Sequence, residues 1–139
     1  MKIFLGGTCN NSNWRSQLIP NLKIDFFNPV VPVWTDEAYH RELQERETCD
    51  ICLYVITPLA KGYYSIAEVV DDSNKRPEKT IMCLISEEGG KTFDRFQLKS
   101  LKKIGAMVQE NGATYCEGMD ALIQHINKKQ SVPTASSFA

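Results

Sequence analysis

The segment Asp50-Ile51-Cys52-Leu53-Tyr54-Val55-Ile56-Thr57 decides the fold of this 139-residue chain. Its apolar residues are continuous rather than alternating, which is typical of a strand that is buried on both faces of a sheet. A second apolar run of the same kind follows at residues 80–85. Two such strands predict a parallel sheet with helices packed on both of its sides.

Strand and helix patterns alternate along the chain on either side of this segment. We expect strands at residues 2–5, 24–29, 50–57, 80–85 and 113–116, and helices at residues 14–22, 36–48, 65–75, 93–110 and 119–128. Parallel strands need crossover connections, and these are right-handed. The sequence therefore predicts a three-layer α/β/α fold, flavodoxin-like or Rossmann-like, with a five-stranded parallel sheet in a single domain over residues 1–129. We expect residues 130–139 to form a flexible tail.

Composition and charge restrict the environment and the partners. The net charge of −1 gives no electrostatic reason to expect nucleic acid or an anionic membrane as a partner. No apolar run approaches the ~20 residues that span a bilayer, and the first strand is too short for a secretory signal. Five cysteines, of which Cys52 and Cys83 lie inside apolar runs, are typical of a reducing compartment. We therefore expect a cytoplasmic protein.

The loops that follow the first three strands are the candidate ligand site. In open parallel sheets, ligands bind beyond the carboxyl ends of the strands, near the point where the strand order reverses. These loops combine glycines and small polar groups with aromatic rings, a combination that suits a flat ligand such as a nucleobase. The candidate substrate-binding residues in these loops are Gly6, Gly7, Thr8, Asn28, Trp34 and Tyr64.

The sequence Ser65-Ile66-Ala67-Glu68 at the start of the helix predicted over residues 65–75 has two interpretations. The S-x-x-E spacing fits a capping box, in which Ser65 and Glu68 bond each other's backbone amides. The same position fits catalysis, because a carboxylate in the first helical turn is kept ionised by the helix dipole and can attack a sugar carbon. Asp72, one turn further, shares the face of Glu68 and could raise its pKa, but we expect it to face solvent.

Motifs for cofactors and metals are not evident. Gly6-Gly7 does not extend to GxGxxG, and the chain has no GxxxxGK[S/T] sequence. Cys49-x-x-Cys52 enters a strand rather than opening a helix, which argues against a thioredoxin-like site. His40 and His125 have no partners at ligand spacing. We expect no cofactor and no metal.

Four segments together resemble the nucleoside 2-deoxyribosyltransferase family in its short phage- and bacteria-associated branch: residues 2–8, 27–30, 49–58 and 62–73. Members of that family transfer a 2-deoxyribosyl group between bases, or hydrolyse the N-glycosidic bond of nucleosides or their 5′-monophosphates. The resemblance covers roughly residues 1–125. It implies that Glu68 is the nucleophile of a double displacement, that Ser65 and the Gly6-Gly7 turn line the sugar pocket, and that the protein is a homo-oligomer.

The loop before Glu68 departs from the family pattern. Members place an acidic residue there, whereas residues 61–64 of this chain are Lys-Gly-Tyr-Tyr. Tyr64 could replace that acid as a hydroxyl partner, and Asp36 or Glu37 could lean over the site as proton donor. The alternative function is a non-catalytic nucleotide-binding module that keeps the pocket without turnover.

Overall fold

Five parallel strands form the central sheet of the computed structural model, which describes residues 1–9 and 11–131. The spatial order of these strands is β2-β1-β3-β4-β7, so the order reverses between β1 and β3. This arrangement confirms the predicted parallel sheet. The strands are β1 (Lys2–Gly7), β2 (Asp25–Phe27), β3 (Ile51–Ile56), β4 (Thr80–Leu84) and β7 (Thr114–Glu117).

Helices cover both faces of the sheet, which confirms the three-layer α/β/α architecture. Two short 3₁₀ turns, Ile19–Asn21 and Pro77–Lys79, contain the prolines that interrupt helical continuity. Within the described residues, no helix has both the length and the apolar character that a membrane span requires. The helices are α1 (Trp14–Leu18), α2 (Asp36–Thr48), α3 (Tyr64–Lys75), α4 (Arg95–Glu110) and α5 (Met119–Ser131).

Strand β3 is buried along its whole length, as its continuous apolar sequence predicts. Side chains alternate across a strand, so its two faces feed two separate cores. Ile51, Leu53 and Val55 pack with side chains of α1 and α5. Cys52, Tyr54 and Ile56 pack on the other face with side chains of α3 and α4. The central strand therefore anchors both helical layers.

The glycine pair at the end of β1 lies within the strand, not in a turn as expected. Gly6 and Gly7 pair with Tyr54 and Val55 of β3. Gly7 has φ of +112°, and a Cβ there would lie 2.2 Å from the Val55 carbonyl oxygen. Only glycine permits this positive φ together with such close backbone contact. The carboxyl end of β1 therefore carries no side chains and packs directly against β3.

A two-stranded antiparallel hairpin, β5 (Glu87–Glu88) and β6 (Lys91–Thr92), follows β4 and was not predicted. Strands of two residues are too short to show a periodic pattern. The Glu88 carboxylate accepts hydrogen bonds from the Ser12 hydroxyl at 2.7 Å and from the Asn13 amide at 2.9 Å. Glu88 therefore satisfies the start of α1 together with Ser12, whose hydroxyl accepts from the Trp14 amide at 3.5 Å.

The last two helices differ from the sequence pattern at their ends. Helix α4 begins at Arg95 behind a capping box formed by Asp94 and Gln97, two residues later than expected. Helix α5 continues to Ser131, three residues beyond its predicted end. The rest of the predicted tail, residues 132–139, lies outside the described residues.

Candidate active site

A cavity of about 680 Å³ opens at the carboxyl ends of β1 and β3, at the point where the strand order reverses. Loops after β1, β2 and β3 form its walls, together with the first turns of α3 and one residue of α2. The volume lies within the range of small-molecule sites. The structure brings all the predicted site residues to this one cavity: Gly6, Gly7, Thr8, Asn28, Trp34, Tyr64, Ser65 and Glu68.

Buried polar contacts fix the inner wall of the cavity. The Thr8 hydroxyl accepts a hydrogen bond from the Thr57 amide at 3.0 Å, which joins the loops after β1 and β3. The Thr8 carbonyl accepts bonds from the Trp14 indole at 2.8 Å and from Arg15 Nη1 at 2.7 Å. Arg15 also donates twice to the Leu5 carbonyl, at 3.0 and 2.8 Å. The glycine-containing end of β1 is therefore held rigidly against α1.

Aromatic side chains form the outer rim of the cavity. Trp34 is 55 % exposed and contacts Tyr39 edge-on at a centroid distance of 6.4 Å. The Tyr64 hydroxyl shares a hydrogen bond with Tyr39, which raises the pKa of Tyr64. Asn28 is ordered by its own loop, because its Oδ1 accepts from the Val30 amide at 3.1 Å. The rim offers flat apolar surface for a ligand ring.

The capping-box interpretation of Ser65 and Glu68 is wrong. Helix α3 begins at Tyr64, and its N-cap residue, Tyr63, forms no side-chain capping bond. Ser65 is therefore the second helical residue and Glu68 the fifth, beyond the first turn in which free amides are available. Both side chains line the cavity instead.

Glu68 is a buried acid that faces a second acid. Its side chain is 6 % exposed, and Glu42 of α2, which also lines the cavity, lies close enough to share a hydrogen bond with it. Burial, and then the adjacent Glu42, raise the pKa of Glu68 to about 9. The expectation that the helix start keeps Glu68 ionised is therefore wrong: burial and the neighbouring acid favour the neutral form of Glu68 at neutral pH.

Arg46 lies beneath the carboxyl pair and is itself buried. Its Nη1 is 3.4 Å from Oε2 of Glu68, and its Nη2 is 2.9 Å from Oδ1 of Asp72. Asp72 is fully buried, contrary to the expectation that it faces solvent. The physical reason is that the Tyr54 hydroxyl and Arg76 also donate to it. Although burial opposes ionisation, the bonds from Arg46 and Tyr54 hold the pKa of Asp72 below its ordinary value.

The proposed proton donors Asp36 and Glu37 are exposed at the start of α2 and do not line the cavity. Glu42, five to six residues further along the same helix, lines the cavity instead. The residues of α2 that the fold buries are Glu42, Glu45 and Arg46, which recur at helical spacing. That spacing was the available signal, and it was missed because charged helical positions are ordinarily solvated.

Among the described residues, no three His, Cys, Asp or Glu side chains form a group that could hold a metal ion. The two cysteines of the CxxC sequence, Cys49 and Cys52, are buried thiols, and burial raises the pKa of each to about 12. Such thiols are poor nucleophiles at neutral pH. The acidic side chains that line the cavity are Glu42 and Glu68, and the exposed thiol of Cys9 also lines it.

The part of the chain that contains this site resembles a known protein family. A family model described as nucleoside 2-deoxyribosyltransferase like matches residues 1–87. That range covers more than half of the chain and contains the buried charged groups Glu42, Arg46, Glu68 and Asp72. No curated protein and no solved structure matches significantly.

Proposed function

The chain belongs to the nucleoside 2-deoxyribosyltransferase-like family, and on that basis we propose that it cleaves or transfers the N-glycosidic bond of 2-deoxynucleosides or their 5′-monophosphates. The observation that carries the proposal is the pair of buried carboxyls, Glu42 and Glu68, in a cavity at the carboxyl edge of the sheet. Two carboxyl groups, one acting as nucleophile and the other carrying the proton, are the usual machinery for breaking a glycosidic bond.

In this mechanism Glu68 is the nucleophile and Glu42 carries the proton. In the resting site Glu68 carries a proton, since its pKa is raised to about 9. Transfer of that proton to Glu42 leaves Glu68 as a carboxylate. The carboxylate forms a bond to C1′ as the C1′–N bond breaks, and Glu42 donates its proton to the departing base.

The second half of the reaction reverses these roles. An acceptor base or a water molecule loses a proton to Glu42 and attacks C1′, and the ester bond to Glu68 breaks. Atoms and charge balance over the two steps, and the configuration at C1′ is retained. No acid is needed in the loop at residues 61–64, because Glu42 supplies the proton from α2.

The remaining wall and rim residues have binding roles in this proposal. Trp34 and Tyr64 present aromatic surface for the base, and Thr8, Asn28 and Ser65 offer small polar groups for the sugar. Gly6 and Gly7 let the end of β1 pack closely against Tyr54 and Val55 of β3, which fixes this part of the cavity wall. The ligand is thus a nucleoside or nucleotide, and the chemistry requires only the two carboxyls.

Turnover of deoxynucleosides and their 5′-monophosphates tests the proposal directly. We expect base release, or exchange with an added free base, measured by liquid chromatography. Glu68→Gln should abolish it, and a 2-fluoro-sugar substrate should leave a covalent adduct on Glu68 that mass spectrometry detects. Glu45→Gln is the matched control, because Glu45 is a buried acid of α2 that pairs with Lys2 and Arg41 outside the cavity. Equal turnover by wild type and Glu68→Gln would refute the proposal.

The role of Glu42 predicts a particular pH dependence. The wild-type kcat should fall as the pH rises through about 9, because Glu68 then loses the proton that Glu42 is to receive and donate to the base. Glu42→Gln should lower kcat by roughly 10²- to 10⁴-fold, the usual contribution of a general acid, and should remove this alkaline limb. An unchanged alkaline limb in Glu42→Gln would assign the proton to another group.

The second candidate function is a nucleotide-binding module without turnover. The raised pKa of Glu68 favours it, because a protonated carboxyl is not a nucleophile. Calorimetric binding of a nucleotide together with no base release over pH 5–10 would support this candidate and exclude the enzyme.

A further inference from the structure

Arg46 divides its charge unequally between two buried acids. Toward Asp72 it presents two contacts, Nη2 to Oδ1 at 2.9 Å and Nε to Oδ2 at 3.3 Å. Toward Glu68 it presents one longer contact, Nη1 to Oε2 at 3.4 Å. Two-point guanidinium–carboxylate pairs are the stronger kind. The cation is therefore committed mainly to Asp72, and Glu68 receives the remainder.

The two oxygens of Glu68 are in different surroundings. Oε2 is shielded from solvent and has no hydrogen-bond partner among the described residues, and Arg46 lies beside it. Glu68 nevertheless lines the cavity, so Oε1 is the oxygen left for Glu42 and for a ligand. A carboxylate with one oxygen fixed and one free has a defined direction of attack.

The partner that holds Arg46 is rigid. Asp72 has no exposed surface, and its carboxylate accepts from the Tyr54 hydroxyl and from Arg76 Nε at 2.9 Å as well as from Arg46. These contacts join α2, β3 and α3 directly below the cavity. A guanidinium anchored in this way cannot move toward Glu68 without breaking buried bonds.

Taking Glu68 as the nucleophile of the proposed function, we propose that Arg46 is a positioning residue that fixes Oε2 of Glu68, and that Asp72 controls how much of the Arg46 charge reaches Glu68. The control is electrostatic and sets the readiness of Glu68 to lose its proton. Because Asp72 holds most of the charge, Glu68 keeps its proton until a ligand enters and Glu42 can accept it. Arg46 then stabilises the Glu68 carboxylate as it departs from C1′.

The groups that act on Glu68 come from three elements: Glu42 and Arg46 from α2, Tyr54 from β3, and Tyr64 and Asp72 from α3. The described groups that act most strongly on the pKa of Glu68 are Glu42, Arg46 and Asp72, and Arg46 is the cation among them. Its removal should therefore raise the Glu68 titration midpoint. Removal of the Asp72 charge should lower the midpoint, because it deletes a like charge and frees Arg46.

Carbon-13 NMR of the glutamate carboxyls, with the Glu68 signal assigned from Glu68→Gln, measures that midpoint without any need for turnover. We expect Arg46→Met to raise it and Asp72→Asn to lower it, each by about one pH unit or more. Asp71→Asn is the matched control. Asp71 also contacts Arg46, at 3.4 Å, but its side chain is 45 % exposed and screened by solvent. In Asp71→Asn the shift of the Glu68 midpoint should stay below about 0.3 pH unit.

Arg46→Lys separates positioning from mere charge and keeps the proposal testable if Asp72→Asn does not fold. Lysine keeps the cation but loses the fork that touches both acids. We expect kcat to fall by about 10-fold or more with KM nearly unchanged, since the ligand contacts are intact. A KM that changes by as large a factor as kcat, or a kcat equal to that of wild type, would overturn the positioning role.

The two kinds of failure are distinguishable. Opposite midpoint shifts in Arg46→Met and Asp72→Asn support the division of charge even if no nucleoside is turned over, and that result would count against the proposed function alone. Shifts in the same direction, or shifts no larger than that of Asp71→Asn, would refute the division of charge even in an active enzyme.

Discussion

At the scale of single residues, Glu68 makes the stability of the protein depend on pH. Its pKa rises from 4.5 to about 9 on folding, because of burial and then of Glu42. The folded state therefore holds the proton more tightly than the unfolded chain does. This contribution to stability is fully present below about pH 4.5 and is lost as the pH rises toward 9.

Replacement of this acid should therefore stabilise the protein in alkaline solution. We expect Glu68→Gln to change the free energy of unfolding little at pH 5 and to increase it by roughly 1–3 kcal/mol at pH 9, since it removes a poorly compensated buried charge. Urea unfolding at pH 5, 7 and 9 measures the difference. Glu45→Gln should do the opposite at neutral pH, because bonds from Lys2 and Cys49 outweigh burial and hold the pKa of Glu45 below its ordinary value. If Glu68→Gln changed the free energy of unfolding equally at all three pH values, the raised pKa of Glu68 would be contradicted.

The site was only partly predictable at this scale. Glu68 could be found because its position after the central strand and the resemblance to a known family point to the same residue. Glu42, Arg46 and Asp72 could not, because a charged residue in a helix is ordinarily solvated. Their burial depends on each other across α2 and α3, at a separation that local patterns do not reveal.

At the scale of elements, helix α2 matches its predicted bounds, residues 36–48, but differs in its role. Its narrow apolar stripe indicated a helix that is solvated or that covers a site. In the structure the buried face of α2 consists of two glutamates and an arginine, and one of these glutamates, Glu42, lines the cavity. Periodicity identifies a helix, whereas the polarity of its buried face depends on what it packs against. The β5–β6 hairpin, by contrast, is too short for any pattern to predict.

The end of strand β1 gives a prediction at the same scale. Gly7→Ala should destabilise the protein by roughly 2–4 kcal/mol, because φ is +112° and the new Cβ would lie 2.2 Å from the Val55 carbonyl oxygen. Gly62→Ala is the matched control, with no atom within 4 Å of its Cβ position. Thermal unfolding of both variants gives the comparison. Equal melting temperatures would show that β1 can separate from β3 at little cost.

At the scale of the whole molecule, the order β2-β1-β3-β4-β7 collects the loops that line the cavity at one edge of the sheet. Alternating strands and helices predicted this architecture, because right-handed crossovers leave few arrangements. Around the cavity mouth lies an apolar rim. Its exposed members that line the cavity are Val30, Val31, Trp34 and Tyr64. Tyr39 contacts Trp34, and the exposed residues Val33, Leu43 and Tyr63 adjoin lining residues along the chain.

A second copy of the chain is the partner that we expect on this rim. Val33 and Leu43 lie on the rim but not in the cavity lining, so Val33→Glu with Leu43→Glu should abolish association without altering the site. Light scattering after size exclusion at several concentrations measures the mass. Phe96→Glu is the control, since Phe96 is 68 % exposed on α4, away from the cavity lining. A wild-type chain that stays monomeric at high concentration would contradict this expectation.

The exposed rim bears on which product the chain would make. In the proposed mechanism, a sugar attached to Glu68 is the common precursor of two products, and water competes with an incoming base for it. In a single protomer the mouth beside Trp34 and Tyr64 is open to solvent, so water has the advantage. If a second copy closes that mouth, dilution would shift the products from exchanged nucleoside toward free sugar, and the product ratio would report the state of assembly.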